Sequence, residues 1–284
     1  MQQVLVSLGS YGAWEVRRHG QAAFARIALD AGADGVEVRG ELLTGAGDEL
    51  TRIRSIVGEA RLVYSSPEGL WRDGAFDDAA VGRAIDAARL LGAPQVKMAI
   101  GAFDGSGPVH ELARFGDAGI ELLIENDQTE SAGTLDALRS FYRSTDGADG
   151  MEGPGLTFDM GNWHWTGECP MLAAQALGAR VAYVHCKGVQ RQPTRWVAVP
   201  IADSAAPWRA LLRAMPKGKP WAIEYPLAGD DLVEVTRREI ALLRAASAAL
   251  RVIPAEAGIQ GVLQPAVEAL DSRLRGNDGL EPRP

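Results

Sequence analysis

The sequence is short of cysteine, histidine and surplus positive charge. Its two cysteines, Cys169 and Cys186, have no paired spacing. That excludes a disulfide framework, a zinc knuckle and a Cys-x-x-Cys redox motif. Lys and Arg number 29 against 37 Asp and Glu, for a formal net charge of −8. Nucleic acid and anionic membrane are bound chiefly through surplus Lys and Arg, so neither is expected as the main partner. No apolar run approaches the length that spans a bilayer. The opening "MQQVLVSLGS" has no basic segment followed by an apolar one, as a secretory signal would. These absences lead us to expect a soluble, cytoplasmic protein acting on a small molecule.

What is present is ample material for a packed core, with 46% hydrophobic and 23% charged residues. Short apolar runs alternate with alanine- and leucine-rich stretches of helical period. The runs are 4–9, 35–40, 61–66, 95–100, 121–126, 155–160, 181–188 and 220–225. Several helical stretches stop at Gly or Gly-Ala just before the next run, as helix C-termini do. Eight strands alternating with helices over about 250 residues predict an α/β fold, a closed (β/α)₈ TIM barrel forming a single domain. An open doubly wound sheet is the rival, but nothing after the first run resembles a Gly-rich dinucleotide loop. The barrel is expected to occupy 1–250. The remainder, 251–284, has four prolines and no sustained period. Its segments "VIPAEAGIQ" and "LDSRLRGNDG" resemble translated copies of a dispersed bacterial repeat, so this extension is expected to be mobile and without function.

Barrel chemistry sits at the C-terminal mouth, so a charged residue late in an apolar strand is informative. Consecutive strands five to eight carry Glu125 in "LLIEND", Asp159 in "LTFDMGN", His185 in "YVHCKG" and Glu224 in "WAIEYP". Any one of them is readily explained as a strand-end residue satisfied by a loop amide or water. Four together are not. Carboxylates converging in a narrow mouth repel each other and resist desolvation unless a cation sits between them. Three carboxylates and an imidazole make a hard ligand set, suited to Mn²⁺ first, and also to Mg²⁺ or Co²⁺.

The segments "GADGVEVR", "LLIEND", "LTFDMGNWHW", "VAYVHCKG" and "AIEYPL" together resemble the sugar isomerase/epimerase branch of the xylose isomerase-like barrels, whose members include ketose 3-epimerases and hydroxypyruvate isomerase. The resemblance covers nearly all of the sequence up to about residue 250. It implies that Glu125, Asp159, His185 and Glu224 bind one divalent metal ion and that Glu125 and Glu224 also move protons. The implied function is an isomerase or epimerase acting on a sugar or sugar acid, phosphorylated or not. One glutamate would remove the proton α to a carbonyl to give a metal-stabilised enediolate. The other would return a proton on the opposite face or to the adjacent carbon.

The same resemblance directs attention to further residues. Arg191 stands where ketose epimerases carry an arginine that contacts substrate; the bland alternative is a solvated loop cation. Asn162 occupies the position where relatives often have a histidine, and His164 follows it between Trp163 and Trp165. Lys187 completes an H-x-K pattern and could bind a substrate oxygen or neutralise a carboxylate. Glu37 could contact substrate or pair with Arg39 or Lys97. Lys97 needs an anionic partner in its apolar strand, either Glu37, Glu125 or a substrate anion. Trp14, Tyr64, Trp71, Trp163 and Trp165 are candidates to wall a sugar ring. The sequence differs from ketose 3-epimerases where a second glutamate would lie, which here is Ser131 beside Glu130. The resemblance leaves the oligomeric state open, a homo-oligomer included. Two other readings are a non-catalytic sugar-binding barrel and an abasic-site endonuclease with three zinc ions. The second needs many histidines at the mouth, and there are four in all.

Overall fold

The computed structural model describes residues 1–146 and 153–252. Eight parallel strands close on themselves: β1 (Val4–Ser7), β2 (Gly35–Arg39), β3 (Arg61–Arg72), β4 (Gln95–Gly101), β5 (Glu121–Glu125), β6 (Gly155–Asp159), β7 (Val181–Cys186) and β8 (Trp221–Ile223). Each pairs with the next, and β8 pairs with β1 through Val4 opposite Trp221 and Val6 opposite Ile223. No edge is left in this ring, and the expected (β/α)₈ TIM barrel is the observed architecture.

The helices follow from their sequences. Asp78–Leu91 buries Ala80, Val81, Ala84, Ile85, Ala88 and Leu91, one face at a spacing of three and four. Asp77 caps its start by accepting from the Ala80 amide, and Gly92 ends it in the left-handed region at φ 73°. The barrel interior is filled in layers. Leu5, Val63, Leu123 and Tyr183, from the odd strands β1, β3, β5 and β7, form one apolar layer that Ala222 of β8 joins. Below it, Gln95 joins its neighbours by accepting from the Arg61 guanidinium at 2.7 Å and donating to Glu121 at 2.5 Å. Above it begins the polar mouth.

Three features depart from expectation. β3 runs past residue 66 to Arg72 and pairs with Ala75–Phe76 as a short hairpin. The run expected to end at 188 breaks after Cys186, and Gly188–Arg191 pairs instead with Trp196–Val199 as a separate antiparallel ribbon. β8 stops at Ile223, so Glu224 is the first residue beyond it, held by its amide donating to the Cys186 carbonyl at 3.1 Å. Met1–Ala246 forms one compact unit, and a second begins at Ser247. Of the second, only 247–252, the end of helix Leu232–Val252, are described, so nearly all of the extension expected over 251–284 lies outside the described residues. No described helix is long and apolar enough to cross a membrane.

Candidate metal centre and active site

β5, β6, β7 and the first residue after β8 deliver Glu125, Asp159, His185 and Glu224 to one point. One ligand atom from each lies within 4.8 Å of the others. His185 Nδ1 is the hub, 2.8 Å from Glu224 Oε2, 3.0 Å from Glu125 Oε1 and 3.8 Å from Asp159 Oδ2. Asp159 and His185 side chains are 0% exposed, whereas Glu125 and Glu224 are 14% and 13% exposed. The two buried groups form the floor, and the two glutamates reach the open mouth.

Asp159 is fixed from both ends. Its Oδ1 accepts from the Gly161 and Asn162 amides at 2.7 and 2.9 Å. The buried Asn126 carboxamide accepts from the Asp159 amide at 2.8 Å and donates to its carbonyl at 3.1 Å, so β5 holds the end of β6 at two points. Asp159 Oδ2 is buried yet has no hydrogen bond of good geometry. It is met only by ion-pair contacts, with Lys187 Nζ at 2.6 Å and His185 Nδ1 at 3.8 Å. A buried carboxylate oxygen held by cations alone, with two glutamates and an imidazole nitrogen beside it, fits a hard divalent cation.

Around this floor runs a charge network, buried at Glu37 and Lys97 and part-exposed at Arg39 and Glu41. Glu37 accepts from His185 Nε2 at 2.7 Å, and Lys97 Nζ lies 3.2 Å from Glu37 Oε1 and 2.9 Å from Glu125 Oε2. Arg39 Nη1 bridges Glu224 Oε1 at 2.6 Å and Glu37 Oε1 at 3.2 Å, and its Nε donates to Glu41 at 2.9 Å. Burial alone would push these carboxyls up. For Glu125 it is outweighed by Lys97 and then His185, which hold it below the usual range. For Glu224 it is outweighed by His185 and Lys187, and the carboxyl lies well below that range. Asp159 goes the other way, raised because burial exceeds what Lys187 offsets. Burial opposes charge on His185, but Glu224 and Glu37 prevail and hold the imidazole well above its usual value. Such groups titrate as a set.

The remaining candidates sort by position. Lys187 Nζ contacts Asp159 and Glu224, and donates to Asn162 Oδ1 at 2.9 Å. Asn162 also accepts from Gln128 at 3.0 Å and donates to the Asn126 carbonyl at 2.9 Å. Glu37 and Lys97 are fully buried, so they stand under the cluster and away from the mouth. Of the partners open to each in the sequence, Glu37 takes both Arg39 and Lys97, and Lys97 takes both Glu37 and Glu125. Arg191 is exposed on the ribbon, its guanidinium over the Trp196 ring at 5.5 Å, and the His164 ring lies 4.8 Å from the same indole. Among the described residues, no hydrogen bond or ion pair joins Arg191 or His164 to the four-residue cluster. His19 and His110 are exposed and pair with Glu15 and Glu111, away from the cluster. Trp71 packs among Phe76, Phe103 and Phe141, and Trp163 is buried against Phe158, so both are core residues.

Sequence reading missed Asn126, and it offered Arg39 only as a partner for Glu37, not for Glu224. Asn126 carried a signal, a polar side chain directly after Glu125 in "LLIEND". A cavity of about 610 Å³ lined by Phe115, Leu122, Pro154 and Val181 lies at the starts of the strands, at the opposite end from the cluster.

No protein-family model matches the sequence, and neither does any curated protein. Solved structures do. A probable 3-DHS dehydratase from Bacillus anthracis is 14% identical, with a TM-score of 0.60 over 86% of this chain and 99% of that one. A D-psicose 3-epimerase from Clostridium cellulolyticum H10, solved with D-tagatose, is 11% identical, with a TM-score of 0.58 over 87% and 99%. A xylose isomerase-like TIM barrel protein from Mycobacterium smegmatis, in complex with magnesium, is 16% identical, with a TM-score of 0.55 over 88% and 97%. At these identities the likeness is one of fold. The protein has the fold of the xylose isomerase-like TIM barrels, with a cluster at its mouth able to hold a metal ion.

Proposed function

We propose that the protein is a divalent-metal-dependent isomerase or epimerase of a small sugar or sugar acid, with Glu125 and Glu224 as its proton-transfer residues. One observation carries this reading. Of the four converging donors, only these two carboxylates reach the mouth, while Asp159 and His185 stay buried beneath. Glu125, Asp159, His185 and Glu224 would hold the ion, Mn²⁺ first, with Mg²⁺ or Co²⁺ as alternatives. When bound, the ion would polarise the substrate carbonyl and take up the charge of an enediolate.

The side chains supply the rest. Glu125 faces Lys97 and His185, whereas Glu224 faces Arg39, His185 and Lys187. With fewer cations around it, Glu125 is the stronger base and takes the proton α to the carbonyl. Glu224, open to water at the mouth, relays a solvent proton to the other side or to the adjacent carbon. Glu37 holds the His185 ring through Nε2, leaving Nδ1 towards the three carboxylates. Asn162, His164 and Arg191 line the approach, as substrate contacts or as its walls. The barrel over 1–250 carries the activity, and the extension over 251–284 has no part in it. The substrate-binding roles first expected of Glu37 and Lys97 become positioning roles, because neither is exposed.

The test is exchange of solvent deuterium into a panel of ketoses and 2-keto sugar acids, read by NMR in the presence of Mn²⁺. Wash-in is expected for at least one compound, and Glu125→Gln should abolish it with metal still bound. The Bacillus anthracis neighbour is a probable dehydratase, and abstraction of an α-proton also opens β-elimination, so the same spectra should be read for loss of water. Ligand binding without exchange in any compound would favour the binding-only barrel and defeat the catalytic reading.

A further inference from the structure

We propose that Lys187 competes with the metal ion for two ligand oxygens and, once displaced, receives a carboxylate of the substrate. This rests on the metal-centred reading above. The two carboxylates concerned each have one oxygen already engaged. Asp159 Oδ1 accepts two backbone amides, and Glu224 Oε1 accepts from Arg39. Asp159 Oδ2 and Glu224 Oε2 face the cluster, the second also 2.8 Å from His185 Nδ1, and Lys187 Nζ lies 2.6 and 2.9 Å from them. An ammonium and a divalent ion on the same oxygens repel strongly where water is scarce.

The lysine is the partner that can yield. Asp159 is clamped by Asn126 and the loop amides, and His185 by Glu37. Lys187 has a flexible stem lying across Gly161, so closely that a Cβ there would come within 2.8 Å of its Cγ and Cδ. Its third partner, Asn162 Oδ1, is on the mouth loop and stays available when the two carboxylates are taken.

Charge then names the substrate class. Glu37, Glu125, Asp159 and Glu224 face Lys97, Lys187 and Arg39, four carboxylates against three permanent cations. With His185 neutral as a ligand, a divalent ion leaves the set with one surplus positive charge. Glu41, at 36% exposed, is screened by water and does little to offset it. The cation left without a carboxylate is Lys187, and an unpaired charge held away from water requires an anion. One surplus charge matches a carboxylate better than a phosphate, whose charge at neutral pH approaches two. The geometry therefore favours a sugar acid over a neutral ketose.

The experiment is calorimetric titration of Mn²⁺ into protein stripped by chelator and dialysed, for the native protein and for Lys187→Met. Removing the competing charge should tighten Mn²⁺ binding by roughly tenfold or more. A merely structural role for Lys187 would weaken it. With the native protein, D-gluconate, and not neutral xylitol, should strengthen Mn²⁺ binding by a factor of roughly five or more, and Lys187→Met should lose that coupling. Equal or weaker Mn²⁺ binding in a folded Lys187→Met protein overturns the competition, and Lys187→Gln gives the same comparison if the methionine variant does not fold. Equal effects of gluconate and xylitol overturn the substrate assignment while leaving the metal reading intact. Absence of Mn²⁺ binding in the native protein overturns both.

Discussion

His185 Nε2 donates to Glu37 Oε2 at 2.7 Å, and its Nδ1 faces three carboxylates at 2.8 to 3.8 Å. A carboxylate behind a ligating histidine fixes the ring's tautomer and aim. Glu37→Gln should therefore lower metal affinity by roughly 10–100-fold while leaving every ligand in place. Equilibrium dialysis against Mn²⁺ measures it. Unchanged affinity would reduce Glu37 to a counter-charge.

Lys97 bears on stability. Its ammonium is 1% exposed and lies between Glu37 and Glu125. Lys97→Met leaves two buried carboxylates short of their cation, and loss of one partner from a buried ion pair costs about 3–5 kcal/mol. The urea midpoint of the metal-stripped protein should fall accordingly. A more stable variant would mean that desolvation of Lys97 outweighs its ion pairs.

Asn126 ties β5 to β6 through the Asp159 backbone and is 0% exposed. Asn126→Ala should cost about 1–3 kcal/mol of stability, the penalty for leaving buried groups unsatisfied. It should also weaken Mn²⁺ binding, because Asp159 loses its clamp. Denaturant titration and dialysis together separate this from a purely local defect, which would lower stability alone.

The metal centre should respond to pH with a definite sign. Glu224 and Glu37 hold the His185 imidazole well above its usual value despite burial, so it carries a proton at neutral pH. Metal binding must release that proton, and affinity should rise with pH by about tenfold per unit below the folded pKa of His185. Calorimetry in buffers of different ionisation enthalpy should detect the released proton. The stability of the chelated protein runs the other way. A raised pKa contributes stability that is fully present below the unfolded value near 6.5 and is lost as pH rises through the folded value. Mn²⁺ affinity flat from about pH 6 to 8 would show that His185 is already neutral.

The fold and the four-residue cluster were legible because both are written as interruptions. Apolar runs stop at Gly, and four of them stop instead at Glu125, Asp159, His185 and Glu224. Depth was not legible. Glu37 and Lys97 are inward residues of β2 and β4, and period-two patterning shows which face a side chain takes, without showing whether it stands at the floor or the rim. Register between strands sets that depth, and register depends on the closed ring. The same limit hid the contact of Arg39, two residues after Glu37, with Glu224, which forms only because β8 comes round beside β1. Trp71 and Trp163 were misleading for a simpler reason. Near a mouth, an indole serves as wall or as core, and Phe103, Phe141 and Phe158 are the neighbours that decided for core.

The most direct measurement is anomalous scattering from a crystal soaked in Mn²⁺. A single peak is expected, within about 2.5 Å of one atom each of Glu125, Asp159, His185 and Glu224, and it should vanish in Asp159→Ala with His185→Ala. A peak elsewhere, or none at the mouth of the barrel, would contradict a shared metal centre.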